Sequence, residues 1–142
     1  MPNLVIMNNQ LIRKLAVLRT DWQAQGQVAF LYQNDHTPGP SDTAAAYMPA
    51  TYDGASGRPV HWTNLPILAG NGVAYMRGET LVFQPTATSI ASQVYGYYVL
   101  STREPGVLVY AQRFDGAPFV IGNTLDPISV VPEWRDQAIP DE

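Results

Sequence analysis

Apolar and polar positions follow two different periods along this chain. In the first segment Leu4, Met7, Leu11, Leu15 and Leu18 recur at spacings of three and four, which aligns them on one face of an α-helix. Arg13, Lys14 and Arg19 fall off that stripe, toward the C-terminal end where cations suit the helix dipole. Asn8 or Asn9 can cap a helix starting there, and Gln25-Gly26-Gln27 ends it. Such a helix packs on the core of its own domain or docks on a neighbouring subunit, and the stripe is compatible with both.

From residue 28 onward the helical period is gone. Val28-Ala29-Phe30-Leu31-Tyr32 reads as a strand, stopped by the turn-forming Asn34-Asp35-His36-Thr37-Pro38-Gly39-Pro40-Ser41. Residues 43–53 are ambiguous, with alanines that permit helix and a Pro49 that favours an extended piece into a turn at Asp53-Gly54. Pro59-Val60-His61-Trp62-Thr63 is a further strand, of the edge or strand-start kind that proline allows. Asn71-Gly72 is a hairpin signal, and residues 73–84 continue as strand with a break at Arg77-Gly78-Glu79. Over residues 93–102, Val94, Gly96, Tyr98 and Leu100 point one way and Tyr95, Tyr97 and Val99 the other. Turns at Glu104-Pro105-Gly106, Asp115-Gly116 and Gly122-Asn123 then separate strands at 107–114, 119–121 and 128–131.

Short strands at intervals of about 8–12 residues predict a mainly β protein. The expected fold is an antiparallel sandwich or barrel with one N-terminal α-helix. It divides into an N-terminal helical segment over 1–26, a β-sandwich domain over 27–131 and a C-terminal arm over 132–142.

Composition sharpens this picture at one point. Charged residues make up 14% of the 142, against about 25% in an average soluble domain, so the surface is uncharged polar or is covered by other chains. The net charge of −4 argues against nucleic acid or an anionic membrane as partner, because such binding runs on cationic counterion release. With no cysteine there are no disulfides, thiolate metal sites or cysteine nucleophiles. The N-terminus lacks a basic region ahead of an apolar stretch, so no secretory leader is expected, and no run approaches the roughly 20 apolar residues of a membrane span.

Candidate chemistry is sparse. His36 and His61, with Asp35 or Asp53, match no metal-ligand spacing. Asp53-Gly54-Ala55-Ser56-Gly57 departs from a nucleophile elbow because Ser56 is followed directly by Gly57. Gly70-Asn71-Gly72 lacks the third glycine of a dinucleotide loop. Asp53, Glu79, Asp115 and Asp126 all sit in turns, where a β-sandwich keeps solvated acids, rather than as a hydrolytic pair. The expectation is a protein that is not an enzyme and uses no metal or cofactor.

The aromatics admit two readings. Tyr95, Tyr97, Tyr98 and Tyr110, with Trp62, Phe83, Phe114 and Phe119, suit core and cross-strand packing. Alternatively Trp62, Tyr95 and Tyr97 contribute to an aromatic face for sugars or a partner protein. Trp134, beside Arg135 in the polar tail, either packs back on its own domain or anchors a partner surface, since both residue types are enriched among hot spots. Leu4, Met7, Leu11, Trp134 and Arg135 are therefore the candidate partner-interface residues.

Four stretches carry a resemblance to a known class. They are Val28-Ala29-Phe30-Leu31-Tyr32-Gln33-Asn34, Ala50-Thr51-Tyr52-Asp53-Gly54, Gln93-Val94-Tyr95-Gly96-Tyr97-Tyr98-Val99, and Val107-Leu108-Val109-Tyr110-Ala111-Gln112-Arg113-Phe114. The most telling is the Tyr-Gly-Tyr-Tyr strand, then a turn, then a strand ending in Arg-Phe. Over residues 28–131 the chain resembles small structural proteins of tailed bacteriophages, the capsid cement or decoration proteins. The resemblance implies an antiparallel β-sandwich, jelly-roll-like, in a homotrimeric virion protein, made in the host cytoplasm, that binds the outer surface of the major capsid protein shell and stabilises it. It implies no catalytic residues. The competing expectation is a tail, baseplate or receptor-binding component that recognises host glycan through exposed aromatics, and a third is a cytoplasmic enzyme working through His36 and His61.

Overall fold

The computed structural model describes residues 7–62, 65–68, 73–86, 92–104, 106–122 and 127–137. Among these residues one α-helix, α1 (Asn8–Gln25), precedes eleven strands: β1 (Gln27–Tyr32), β2 (Arg58–Pro59), β3 (Ile67–Leu68), β4 (Val73–Arg77), β5 (Leu81–Phe83), β6 (Ser92–Val94), β7 (Gly96–Ser101), β8 (Leu108–Arg113), β9 (Phe119–Ile121), β10 (Ile128–Val130) and β11 (Glu133–Gln137). Every strand pairing among the described residues is antiparallel. The protein is mainly β with one N-terminal helix and several antiparallel sheets, consistent with the expected β-sandwich. No helix among the described residues is long and apolar enough to cross a membrane.

The chain forms two compact units. One holds α1 as far as Ala24, β3, β4 and β11; the other holds β1, β2 and β5 to β10. The expected division at 26/27 and 131/132 keeps helix and C-terminal arm apart from everything between them. Compactness instead groups both with residues 61–80, because β11 is a strand of their sheet.

In the first unit the sheet order is β11-β4-β3. The C-terminal part of the expected stripe packs as a helical face: Leu11 and Leu15 are fully buried with Ala74 of β4, and Ile12, Leu18 and Trp134 pack around them, whereas Met7 precedes the helix and is exposed. The first intrahelical bond runs from Leu11 N to Met7 O at 3.0 Å, so Met7 takes the capping position expected of Asn8 or Asn9. Gly26, at φ +81°, follows the last helical residue. The stripe extends one step further than the leucines. Trp22 packs against Trp62 at 5.3 Å between ring centroids and edge-on against Trp134 at 5.1 Å. The unexpected strand β11 sets Trp134 opposite Met76 of β4, and Arg19 Nη1 donates to Trp62 O at 3.3 Å.

In the second unit the largest sheet has the order β2-β1-β7-β8, with β5–β10 and β6–β9 as separate pairs. In β7, Gly96, Tyr97, Tyr98 and Val99 are all buried, so both of its faces are covered rather than one. Tyr32, Tyr47 and Tyr98 form a buried cluster, with Phe30, Tyr95, Leu108 and Ala111 packed against it.

Two expectations are corrected. The strand expected over 59–63 is only Arg58–Pro59: Val60 N still bonds Gln27 O at 2.9 Å, but Trp62 N donates to the Gln23 side chain at 2.6 Å and not to a strand. The continuous strand expected over 93–102 changes partner at Tyr95, with β6 pairing β9 and β7 pairing β1. The ambiguous stretch 43–53 holds a single 3₁₀ turn (Ala44–Ala46) and an isolated bridge from Pro49 to Tyr32. Leu4, Asn71-Gly72 and Asn123 lie outside the described residues.

Candidate functional site

The second unit carries a long loop between β1 and β2 whose first half is tied down by side chains. Loops of this length are mobile unless their backbone polar groups find partners. Here Asn34 bridges the loop in both directions: its Nδ2 donates to Ala46 O at 2.9 Å and its Oδ1 accepts from Met48 N at 2.8 Å. Arg113 at the end of β8 donates to Asp35 Oδ1 at 2.7 Å and to His36 O at 3.2 Å, and Tyr32 OH donates to His36 O at 3.0 Å.

The centre of the loop is Asp42. Its Oδ2 accepts from Tyr47 OH at 2.7 Å, from the Gly39 amide at 2.9 Å and from His36 Nε2 at 2.8 Å. Three donors on one oxygen favour the ionised form. The Tyr47 hydroxyl contributes most, then the Gly39 amide and His36, and they hold the Asp42 carboxyl at about 2. Tyr47 is pushed the other way, above the ordinary phenol, first by burial and then by its bond to that carboxylate. Its ring stacks on Tyr98 at 5.1 Å and meets the His36 ring edge-on at 5.1 Å. The loop is therefore fastened to the hydrophobic cluster by the same residue that donates to its central carboxylate.

This fastening shapes two concavities. A groove of about 500 Å³ is lined by Gln33, Met48, Ser92, Gln93 and Val120. No charged side chain lines it among the described residues, and its apolar members stand out into solvent, Met48 at 55% and Val120 at 65% exposure. Phe119, beside Val120 on β9, is exposed as well. A second cavity of about 300 Å³ lies between the loop and β8, lined by Pro38, Pro40, Asp42, Tyr47, Leu108 and Tyr110 among others.

The residues singled out in the sequence are distributed differently. Of the partner-interface set, Leu4 is outside the described residues, Met7 is exposed, and Leu11 is buried in the helix–sheet core. Trp134 is half-buried against Trp22 and the leucines, while Arg135 is exposed and bonds the Glu133 carboxylate. That carboxylate also accepts from Arg77 Nε at 2.8 Å; burial alone raises its pKa, but the two guanidinium bonds outweigh it and leave it lowered.

Of the aromatic set, Trp62 is 0% exposed and Tyr97 1%, so neither offers a ring to a ligand. Trp62 belongs to the first unit, whereas Tyr95 and Tyr97 belong to the second. Tyr97 OH hydrogen-bonds Tyr110 OH at 3.0 Å, and Tyr95 is half-buried beneath the Arg113 guanidinium at 5.2 Å. These three residues form no exposed aromatic face: Tyr97 lies in β7, covered on both sides, Trp62 is buried in the other unit, and Tyr95 is half-buried.

His36 and His61 fall in different units, and the acid that meets His36 is Asp42, not Asp35 or Asp53. Among the described residues no three His, Asp or Glu side chains converge as metal ligands. Sequence reasoning missed Met48, Val120 and Asp42. The first two are single apolar residues in short loop or strand segments, and Asp42 sits between Ser41 and Thr43 like any solvated loop acid. Comparison of the chain with family models, curated proteins and solved structures finds no match.

Proposed function

We propose that this protein is a structural virion component, a capsid cement subunit that docks on the outer surface of a major capsid protein shell as a homotrimer and acts without catalysis. The observation that carries the reading is the uncharged groove beside Met48 and Val120. An apolar surface rimmed by glutamine and serine is what a protein–protein contact needs, because interface cores are depleted in charge and solvent-exposed apolar patches mark interaction sites. The low charge of the whole chain and the resemblance of residues 28–131 to cement proteins support the same choice of partner.

The physics of such a role is modest per subunit. Each groove adds a small affinity, and three linked copies raise the effective concentration of the second and third once the first engages. The fastened loop serves this by holding Met48 in place before binding, so that little ordering entropy is lost on docking.

The test is co-sedimentation with shells assembled from the cognate major capsid protein. Wild-type protein pellets with shells and saturates at a fixed ratio. Val120→Asp, which places a charge in the groove, weakens binding by at least about tenfold, roughly 1.4 kcal/mol. Failure of the wild-type chain to bind, or equal binding by the variant, contradicts the reading.

A further inference from the structure

Asp42 has an unused half. A carboxylate offers about four lone-pair sites. Its Oδ2 accepts all three hydrogen bonds made to the side chain, and Oδ1 accepts none from the described residues. The side chain is 17% exposed. No lysine or arginine among the described residues answers it. The neighbouring acid, Asp35, has Arg113 at 2.7 Å, whereas the groups that reach Asp42 are a phenol, an amide and an imidazole.

The space beside this carboxylate is the 300 Å³ cavity walled by Pro38, Pro40, Leu108 and Tyr110. Those walls are apolar or aromatic. Two prolines and a tyrosine give the cavity flat faces. Such faces favour a planar, weakly hydrated cation that lies against rings over a compact ammonium with a tight water shell.

We infer that the cavity between the 38–42 loop and β8 receives the guanidinium of an arginine side chain presented by a partner protein, with Asp42 Oδ1 as its acceptor. The argument is charge complementarity: a carboxylate whose Oδ1 takes no hydrogen bond from the described residues, lining a recess of side-chain size walled by proline and tyrosine. The site is separate from the Met48–Val120 groove and its test uses no capsid shell, so its failure and the failure of the cement reading are distinguishable.

The experiment is a titration of the isotope-labelled full-length chain, at neutral pH, with N-acetyl-arginine amide and, separately, with N-acetyl-citrulline amide, its uncharged counterpart. Amide resonances are followed by NMR. The expected result is saturable shifts in the millimolar range confined to residues 38–42, 47 and 108–111 with the arginine probe, and none with citrulline. Asp42→Asn weakens the arginine probe by at least about tenfold, while Asp35→Asn, which removes an equal charge outside the cavity, changes it less than about twofold. Equal shifts from both probes, shifts elsewhere on the protein, or no saturation overturn the proposal. Should Asp42→Asn disturb the loop, the comparison of the two probes on the unaltered chain decides alone.

Discussion

The Tyr47 hydroxyl donates to Asp42 Oδ2 at 2.7 Å, joining a residue of the buried tyrosine cluster to the centre of an otherwise polar loop. Together with the bonds joining Asn34 to Ala46 and Met48, it lets a loop rich in glycine and proline act as a fixed wall for both concavities of the second unit. It also makes loop order depend on the charge of one carboxyl group.

The pH dependence follows from that charge. Unfolded, Asp42 titrates near the ordinary value of about 3.9. Folded, it is held at about 2. Between those values the unfolded chain binds more protons, so stability falls as pH drops from about 4 to about 2, and the contribution is fully present above that window. Urea unfolding of the wild type across this range, followed by the near-ultraviolet circular dichroism of the tyrosines, is expected to lose stability steadily. Asp42→Asn flattens that part of the curve. An identical slope in the variant would place the acid sensitivity elsewhere.

The first unit has its own reporter. All three tryptophans of the chain lie in it, and Trp22 touches both of the others. Leu15 is fully buried where α1 meets β4. Leu15→Ala removes that contact and leaves a cavity, at a cost of about 2–5 kcal/mol. Denaturant unfolding monitored by tryptophan fluorescence is expected to shift to lower midpoint by that amount. A midpoint unchanged within error would mean that the helix contributes little to the unit.

Backbone geometry separates two turns that look alike in the sequence. Gly54 has φ +104°, and a Cβ there would stand 1.8 Å from Gln84 O, inside a backbone atom. Gly116 has φ +77° with open space around it. Gly116→Ala should therefore cost only the left-handed penalty, about 1–2 kcal/mol. Gly54→Ala adds a collision that the backbone must move to relieve, and its thermal midpoint should fall well below that of Gly116→Ala. Equal midpoints for the two variants would contradict the geometry.

These particulars show what the chain reveals unaided. The helix was readable because Leu11, Leu15 and Leu18 repeat at its period, and β1, β4 and β8 because β-branched and aromatic runs end at Gly or Pro. The strand at Glu133–Gln137 was not, since Glu-Trp-Arg-Asp-Gln has little strand propensity and is held by its register against β4 and by Trp134. Tyr97 and Trp62 were misplaced for a related reason. Alternation tells which residues share a face, but not whether the second face is covered as well. The Asp42 cluster depends on His36, Gly39 and Tyr47 converging through loop geometry, for which the linear sequence holds no periodic signal.

The central claim is the place of this protein on a capsid. Cryo-microscopy of the particle that carries it tests that most directly. The account predicts three copies clustered about a symmetry axis on the outer face of the shell, with β9 and the Met48 loop toward the major capsid protein, and loss of that density in Val120→Asp particles. Density within the tail or baseplate, or none in the particle, would contradict it.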